Sequence, residues 1–240
     1  MVVVMNDLKP IGHAEALDEI PDAPASIEFR GMALDRRSAI YRSRTGLLLC
    51  DADKTMLGAI GDVGPHHVRE LFEPRRTTCE LLADSRAFAA LNADFFFERA
   101  TILTLEWQWR RPPGLVLGLV VRRLQPQDPL GHVPAKLRRE IERQAINGEV
   151  WAGFVARGTA VSFAYVATTT ETLADISIDT LAEWRGVGIG RNVASFLVGR
   201  VVALGKTPVW GATVDNAASL ALASSLGFTR PAGELFVHEA

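Results

Sequence analysis

Hydrophobic and polar residues alternate along this chain with two different periods. "GLLLCDADKTMLGAIG" (46–61) reads as two short strands about the turn Asp51–Lys54. Helical spacing follows in "GPHHVRELFE" (64–73) and "SRAFAALNADFFFERA" (85–100), the second with Phe88, Leu91 and Phe95 on one face. "TILTLEWQW" (101–109) returns to period two, with Leu103, Leu105, Trp107 and Trp109 on one side and Thr104, Glu106 and Gln108 on the other. Residues 1–40 carry Pro10, Pro21 and Pro24 without a sustained period, which predicts loop with one short helix.

Pro112-Pro113-Gly114 is strong turn punctuation and predicts a boundary. Residues 1–114 then form an accessory α/β domain and 115–240 a second domain. Within the second, "LVLGLVVRRL" (115–124) predicts a strand and "AKLRREIERQAI" (135–146) a helix with Leu137, Ile141 and Ala145 inward. A hairpin about Arg157-Gly158 precedes the strand 173–181, whose Ile176 and Ile178 face inward and whose Asp175, Ser177 and Asp179 face the other way. A helix from Gly188 to Leu204 ends at Gly205, a strand spans 207–214, and Asn216 caps a helix that Gly227 stops. "ELFVHE" closes as a strand. The order from residue 115 is β-α-β-β-β-α-β-α-β, a mixed-sheet α/β fold of the α+β kind, and the first half is open to being a degenerate copy of it.

Composition narrows the function classes. The 240 residues are 48% hydrophobic with a formal net charge of −2, which argues against a nucleic-acid or anionic-membrane partner. No apolar run approaches a membrane span, and "MVVVMNDLKP" lacks the basic start of a signal peptide, so the expected location is cytoplasmic. Cys50 and Cys79 have no metal-ligand spacing. His66-His67, adjacent in a helix, cannot converge on one ion and reads as a surface pair, so no metal is expected.

The chemistry is concentrated in "WRGVGIGRN" (184–192), where glycines at every second position join a strand to a helix. Consecutive amides there can form a nest, and the helix start adds its free N–H groups, which together suit a phosphate; the alternative is that glycine merely permits tight strand–helix packing. A Walker loop would need Lys-Ser or Lys-Thr where Arg191-Asn192 stands, and a dinucleotide fingerprint would need glycine at Arg191. Arg185-Gly186-Val187-Gly188-Ile189-Gly190 fits instead the pattern [Q/R]-x-x-G-x-[G/A], and "NAASLALASSLGF" (216–228) fits N-x-x-S-x-x-L-x-x-x-L-G-F. With "VSFAYVATTTETLADISIDTLAEWRG" (161–186), these motifs resemble the GNAT acetyltransferase superfamily, and the long N-terminal extension resembles a branch with an accessory domain.

The resemblance implies a GNAT-like acyltransferase fold over 115–240, acetyl-CoA as co-substrate, and transfer of the acetyl group to the amine of a small-molecule acceptor by direct attack on the thioester. It implies backbone contacts to the pantetheine arm from Ile178, Asp179 and Thr180, and a pyrophosphate cradle from Arg185, Gly186, Val187, Gly188, Ile189, Gly190 and Arg191. Asn216 and Ser219 would lie near the arm, and Asp175 or Asp179 would serve as base. The family's tyrosine acid is missing, because its position is Ala223. That absence keeps open a catalytically degenerate acyl-CoA-binding sensor or interaction protein, and a homodimer is compatible with either reading.

Overall fold

The computed structural model describes residues 8–72, 79–106, 109 and 116–239. Contacts divide the chain into two compact units. One comprises Met1–Ile102, Ala212–Asn216 and Pro231–Ala240; the other comprises Leu103–Gly211 and Ala217–Arg230.

The first unit is more ordered at its start than proline content suggests. Strand β1 (Lys9–Pro10) leads into helices α1 (His13–Glu19) and α2 (Ile27–Leu34). Strands β2 (Ala39–Arg42), β3 (Thr45–Cys50) and β4 (Met56–Asp62) then pair antiparallel in succession, with β1 against β2. Helix α3 (Pro65–Phe72) carries the chain to β5 (Glu80–Ala83), which pairs parallel with β4. The expected helix 85–100 is shorter: α4 covers Ser85–Leu91, and β6 (Glu98–Leu105) takes the rest. Asp84 starts α4 by accepting from the Ala87 N–H, and Phe88 stacks on Phe236 with centroids 3.9 Å apart. Leu48, Leu57, Leu81, Val68 and Leu91 fill the core on that side. Contrary to the sequence reading, only His66 of the histidine pair is exposed; His67 is buried at 7% exposure. Trp107, Gln108 and Pro112-Pro113-Gly114 lie outside the described residues.

The C-terminal half follows the expected order. Strand β7 (Val120–Arg123) is shorter than the apolar run 115–124, and Leu117 beside it is fully exposed. Helix α5 (Ala135–Asn147) buries Ile141 but leaves Ala145 exposed, so its inner face is narrower than the period suggests. Strands β8 (Trp151–Val155), β9 (Thr159–Thr169) and β10 (Leu173–Thr180) run antiparallel, with β7 on β8. Helix α6 (Ile189–Ala203) lays Val193, Leu197, Val198 and Val201 inward. Strand β11 (Thr207–Thr213) pairs parallel with β10, helix α7 spans Ala217–Ser225, and β12 (Phe228–Glu239) begins six residues before "ELFVHE".

Trp210 on β11 is the largest fully buried side chain of this unit. Its Nε1 donates to Ser219 Oγ on α7 at 3.0 Å, and its ring lies 5.4 Å from that of Phe228. It therefore fixes α7 to the strand through one hydrogen bond and a large apolar contact. Trp210→Ala is expected to cost about 3–5 kcal/mol of stability, read from the midpoint of urea unfolding.

Candidate functional site

Strand β10 has two unlike edges. Against β9 its register runs through Thr180 opposite Ser162. Against β11 it pairs only at Leu173, Ala174 and Asp175, opposite Thr207, Pro208 and Val209, although both strands continue. The phase of the β9 ladder tells which groups are left over. Leu181 N–H donates to Val161 O at 2.9 Å. Since hydrogen-bonded and non-bonded pairs alternate, Asp179 and Ser177 turn their backbone groups toward β9, and Ile178 and Thr180 turn theirs toward β11. Beyond Asp175 the β11 ladder offers those groups no partner. Arg185 Nε takes the Thr180 carbonyl at 2.9 Å, which leaves the amides of Ile178 and Thr180 facing the gap.

The glycines of the loop at the mouth of this gap differ from one another in geometry. Gly186 (φ 76°) and Gly188 (φ 86°) lie in the left-handed region that side chains disfavour, and no atom stands within 4 Å of a Cβ built on Gly186. Gly188 starts α6 with no side chain capping it, so the first helix amides stay available, beside an exposed Val187. Gly190 is different. A Cβ there would come 2.8 Å from Thr180 Oγ1, so its role is close packing of α6 on β10. Open space, positive φ and uncapped amides at one helix start fit a diphosphate.

The other predicted contacts are placed as follows. Ile189 is buried. The Arg191 guanidinium donates to Ser225 O at the end of α7 at 3.1 Å, which leaves its backbone N–H at the helix start. Asn216 stands immediately before α7, and Ser219 is the acceptor for Trp210. Ala223 is fully buried, so that face of α7 is packed into the unit. Trp109 packs on α6, its ring 2.9 Å from a Cβ position at Gly199.

Sequence reasoning missed Tyr165. It sits on β9 opposite Ser177, two pairs along from Asp179, and is 5% exposed. Its phenol is hydrogen-bonded to Ser177 and to the Asp179 carboxylate. Burial, assisted by the charges of Asp179 and Glu140, pushes it up to about 12, so it acts as a neutral donor. Asp179 is raised above the ordinary carboxylate range by burial and by Glu140 of α5, while Arg185 and the Tyr165 bond pull it back. Asp175 lies four residues away, about 13 Å along the strand, at the end where β10 and β11 are still joined. The two aspartates therefore differ in place: only Asp179 flanks the open part of the gap. The missed signal was in the register, since β9 reads as a plain apolar strand.

Residues 152–232 match the family described as GNAT acetyltransferase. No curated protein matches the chain. Among solved structures, a GCN5-related N-acetyltransferase-like protein from Streptococcus suis 89/1591 aligns with a TM-score of 0.72 at 18% identity, covering 95% of this chain and 100% of that one. An acetyltransferase of the GNAT family from Colwellia psychrerythraea gives 0.60 at 12% identity, covering 97% and 98%. A tandem GNAT protein from the clavulanic acid biosynthesis pathway gives 0.56 at 16%, also covering 97% and 98%. At such identities the likeness is one of fold.

The division among the glycines is open to a direct check by urea unfolding. Gly190→Val should lose about 1–3 kcal/mol through overpacking against Thr180. Gly186→Ala should lose about 1 kcal/mol through its backbone angle alone.

Proposed function

We propose that this chain, whose C-terminal half is an acyltransferase region of the GNAT family, transfers an acetyl group from acetyl-CoA to the amine of a small molecule. The observation that carries the reading is the parting of β10 from β11 after Asp175, with the glycine loop and α6 at its mouth. The pantetheine arm bears amides and would bond to Ile178 and Thr180 as an added strand does. The pyrophosphate would rest on the amides from Gly186 to Arg191, helped by the positive end of α6. In this reading residues 115–240 form the catalytic domain and 1–114 an accessory one.

The transfer needs a neutral amine and a place for its proton. Attack on the thioester carbonyl forms the C–N bond and breaks the C–S bond, the amine proton passes to the Asp179 carboxylate, and the departing thiolate takes a proton from solvent. Tyr165 orients that carboxylate through its hydroxyl and holds its pKa lower than burial alone would. The acceptor would approach from the face of the sheet that carries α5, where Asp179 and Tyr165 lie. The buried Ala223 favours a second reading, an acyl-CoA sensor with no turnover. Release of free thiol accelerated by an amine separates the two.

Two outcomes are expected. Gly188→Glu should abolish acetyl-CoA binding in calorimetric titration, because the side chain fills the cradle and repels phosphate; unchanged affinity would sink the assignment. Asp179→Asn should lower kcat by about 10²–10⁴-fold with acetyl-CoA affinity retained. The working form of Asp179 is the carboxylate, so activity falls as pH drops through its raised pKa. Tyr165→Phe removes a bond to the charged form and should move that acid limb to higher pH. Stability has the opposite sign: the fold favours the protonated group, so its contribution declines as pH rises from the ordinary carboxylate value through the raised one.

A further inference from the structure

In chain order the N-terminal half repeats the C-terminal half. β1, the helix pair α1–α2, β2, β3, β4, α3, β5, α4 and β6 follow one another as β7, α5, β8, β9, β10, α6, β11, α7 and β12 do. The pairings repeat as well. β1–β2, β2–β3 and β3–β4 are antiparallel and β4–β5 parallel, as are β7–β8, β8–β9, β9–β10 and β10–β11 in turn. Period-two and period-3.6 patterns do not reveal this, because β1 has two residues and β5 four.

We infer that the chain is an internal duplication in which the N-terminal copy of the cleft is closed by its own side chains, Asp84 above all, so that one chain holds a single acyl-CoA site. The inference rests, for the ligand, on the C-terminal reading given above; the closure stands on separate observations.

Where β10 and β11 part after three residues, β4 and β5 stay together for the whole of β5. Met56–Ala59 lie opposite Glu80–Ala83, and Glu80 N–H to Thr55 O (2.8 Å) and Asp84 N–H to Ala59 O (3.1 Å) extend the ladder at both ends. The next β4 residue with the same edge orientation is Gly61, two beyond Ala59. Its N–H donates to both oxygens of the Asp84 carboxylate, at 3.1 and 3.2 Å. Gly61 thus corresponds to the residues whose amides face the gap in the second unit, and a side-chain anion already answers it.

The helix start behaves in the same way. The Gly64 N–H, just before α3, donates to His67 Nδ1 at 3.3 Å, where α6 begins with no side-chain cap. Asp84 also stands immediately before α4, as Asn216 stands before α7. At that position the first unit has a carboxylate that locks the strand end and the helix start together, with 2.8 Å to the Ala87 N–H. The C-terminal half has a neutral amide there. An added anion would have to displace Asp84 and then lie beside its charge.

Titration of the full chain with coenzyme A should give one equivalent for the wild type and none for Gly188→Glu. Two equivalents, or residual binding in the variant, overturn the single-site inference. Amide hydrogen exchange on the unliganded chain tests the closure by itself. Gly61 should exchange about tenfold or more slowly than Ile178 and Thr180, and Asp84→Ala should abolish most of that difference. Equal exchange at the three amides in the wild type overturns the closure. If coenzyme A fails to bind but the contrast in exchange is present, the proposed function falls and the closed N-terminal copy stands.

Discussion

Parallel pairing joins β10 to β11 for three residues, and the rest of the C-terminal unit is arranged around its stopping there. A buried backbone donor without a partner costs on the order of 1–3 kcal/mol, so a strand that leaves its neighbour must be held by something else. The far edge of β10 is one support, since β9 follows it through Thr180. Helix α6 is another: Gly190 lets it approach until its backbone lies against Thr180 and Ile178. On the other strand, Trp210 ties β11 to α7 through Ser219. With both walls fixed separately, the space between them persists without collapsing, and donors along one wall are aimed in advance at whatever enters.

Much of this was written in local sequence. Glycines at 186 and 188 are required by backbone angle, and a requirement of that kind shows in the residue type wherever the loop is read. Asp175, Ser177 and Asp179 alternate with Ile176 and Ile178 as a half-buried strand must, so their common face was legible too. What could not be read was anything set by pairing between distant segments. Tyr165 belongs to an apolar run, and only the Ser177–Tyr165 register shows that its hydroxyl reaches a carboxylate. Arg191 lies within the motif, yet its side chain serves the end of α7. In the N-terminal half β3, β4, α3 and the end of β6 were legible from their periods. Residues 1–40 were not, because β1, α1, α2 and β2 are too short for a period to emerge, and the helical spacing of Phe88, Leu91 and Phe95 carries past the true end of α4 at Leu91.

Asp179 and Tyr165 show how a strand pair can hold a titratable group between two tendencies. Burial favours the neutral acid, whereas the phenol and Arg185 favour the carboxylate. Ser177 reinforces the arrangement by bonding the same phenol, and Glu140 and Arg143 of α5 add charges of both signs around it. The pKa is thereby left to groups on three different elements, and no single residue of the motif determines it.

Asp84 has a consequence for how the two halves tolerate change. A site kept empty for a ligand is a standing weakness in the apo fold, and mutations that fill it raise stability at the expense of activity. On the duplication inferred above, the N-terminal half carries the counterpart of such a change: Asp84 joins a strand end to a helix start. Released from any duty to stay open, that half can drift in sequence as long as its packing survives. The other half must keep its unanswered amides and glycine angles, so divergence between the copies is expected to run faster on the N-terminal side.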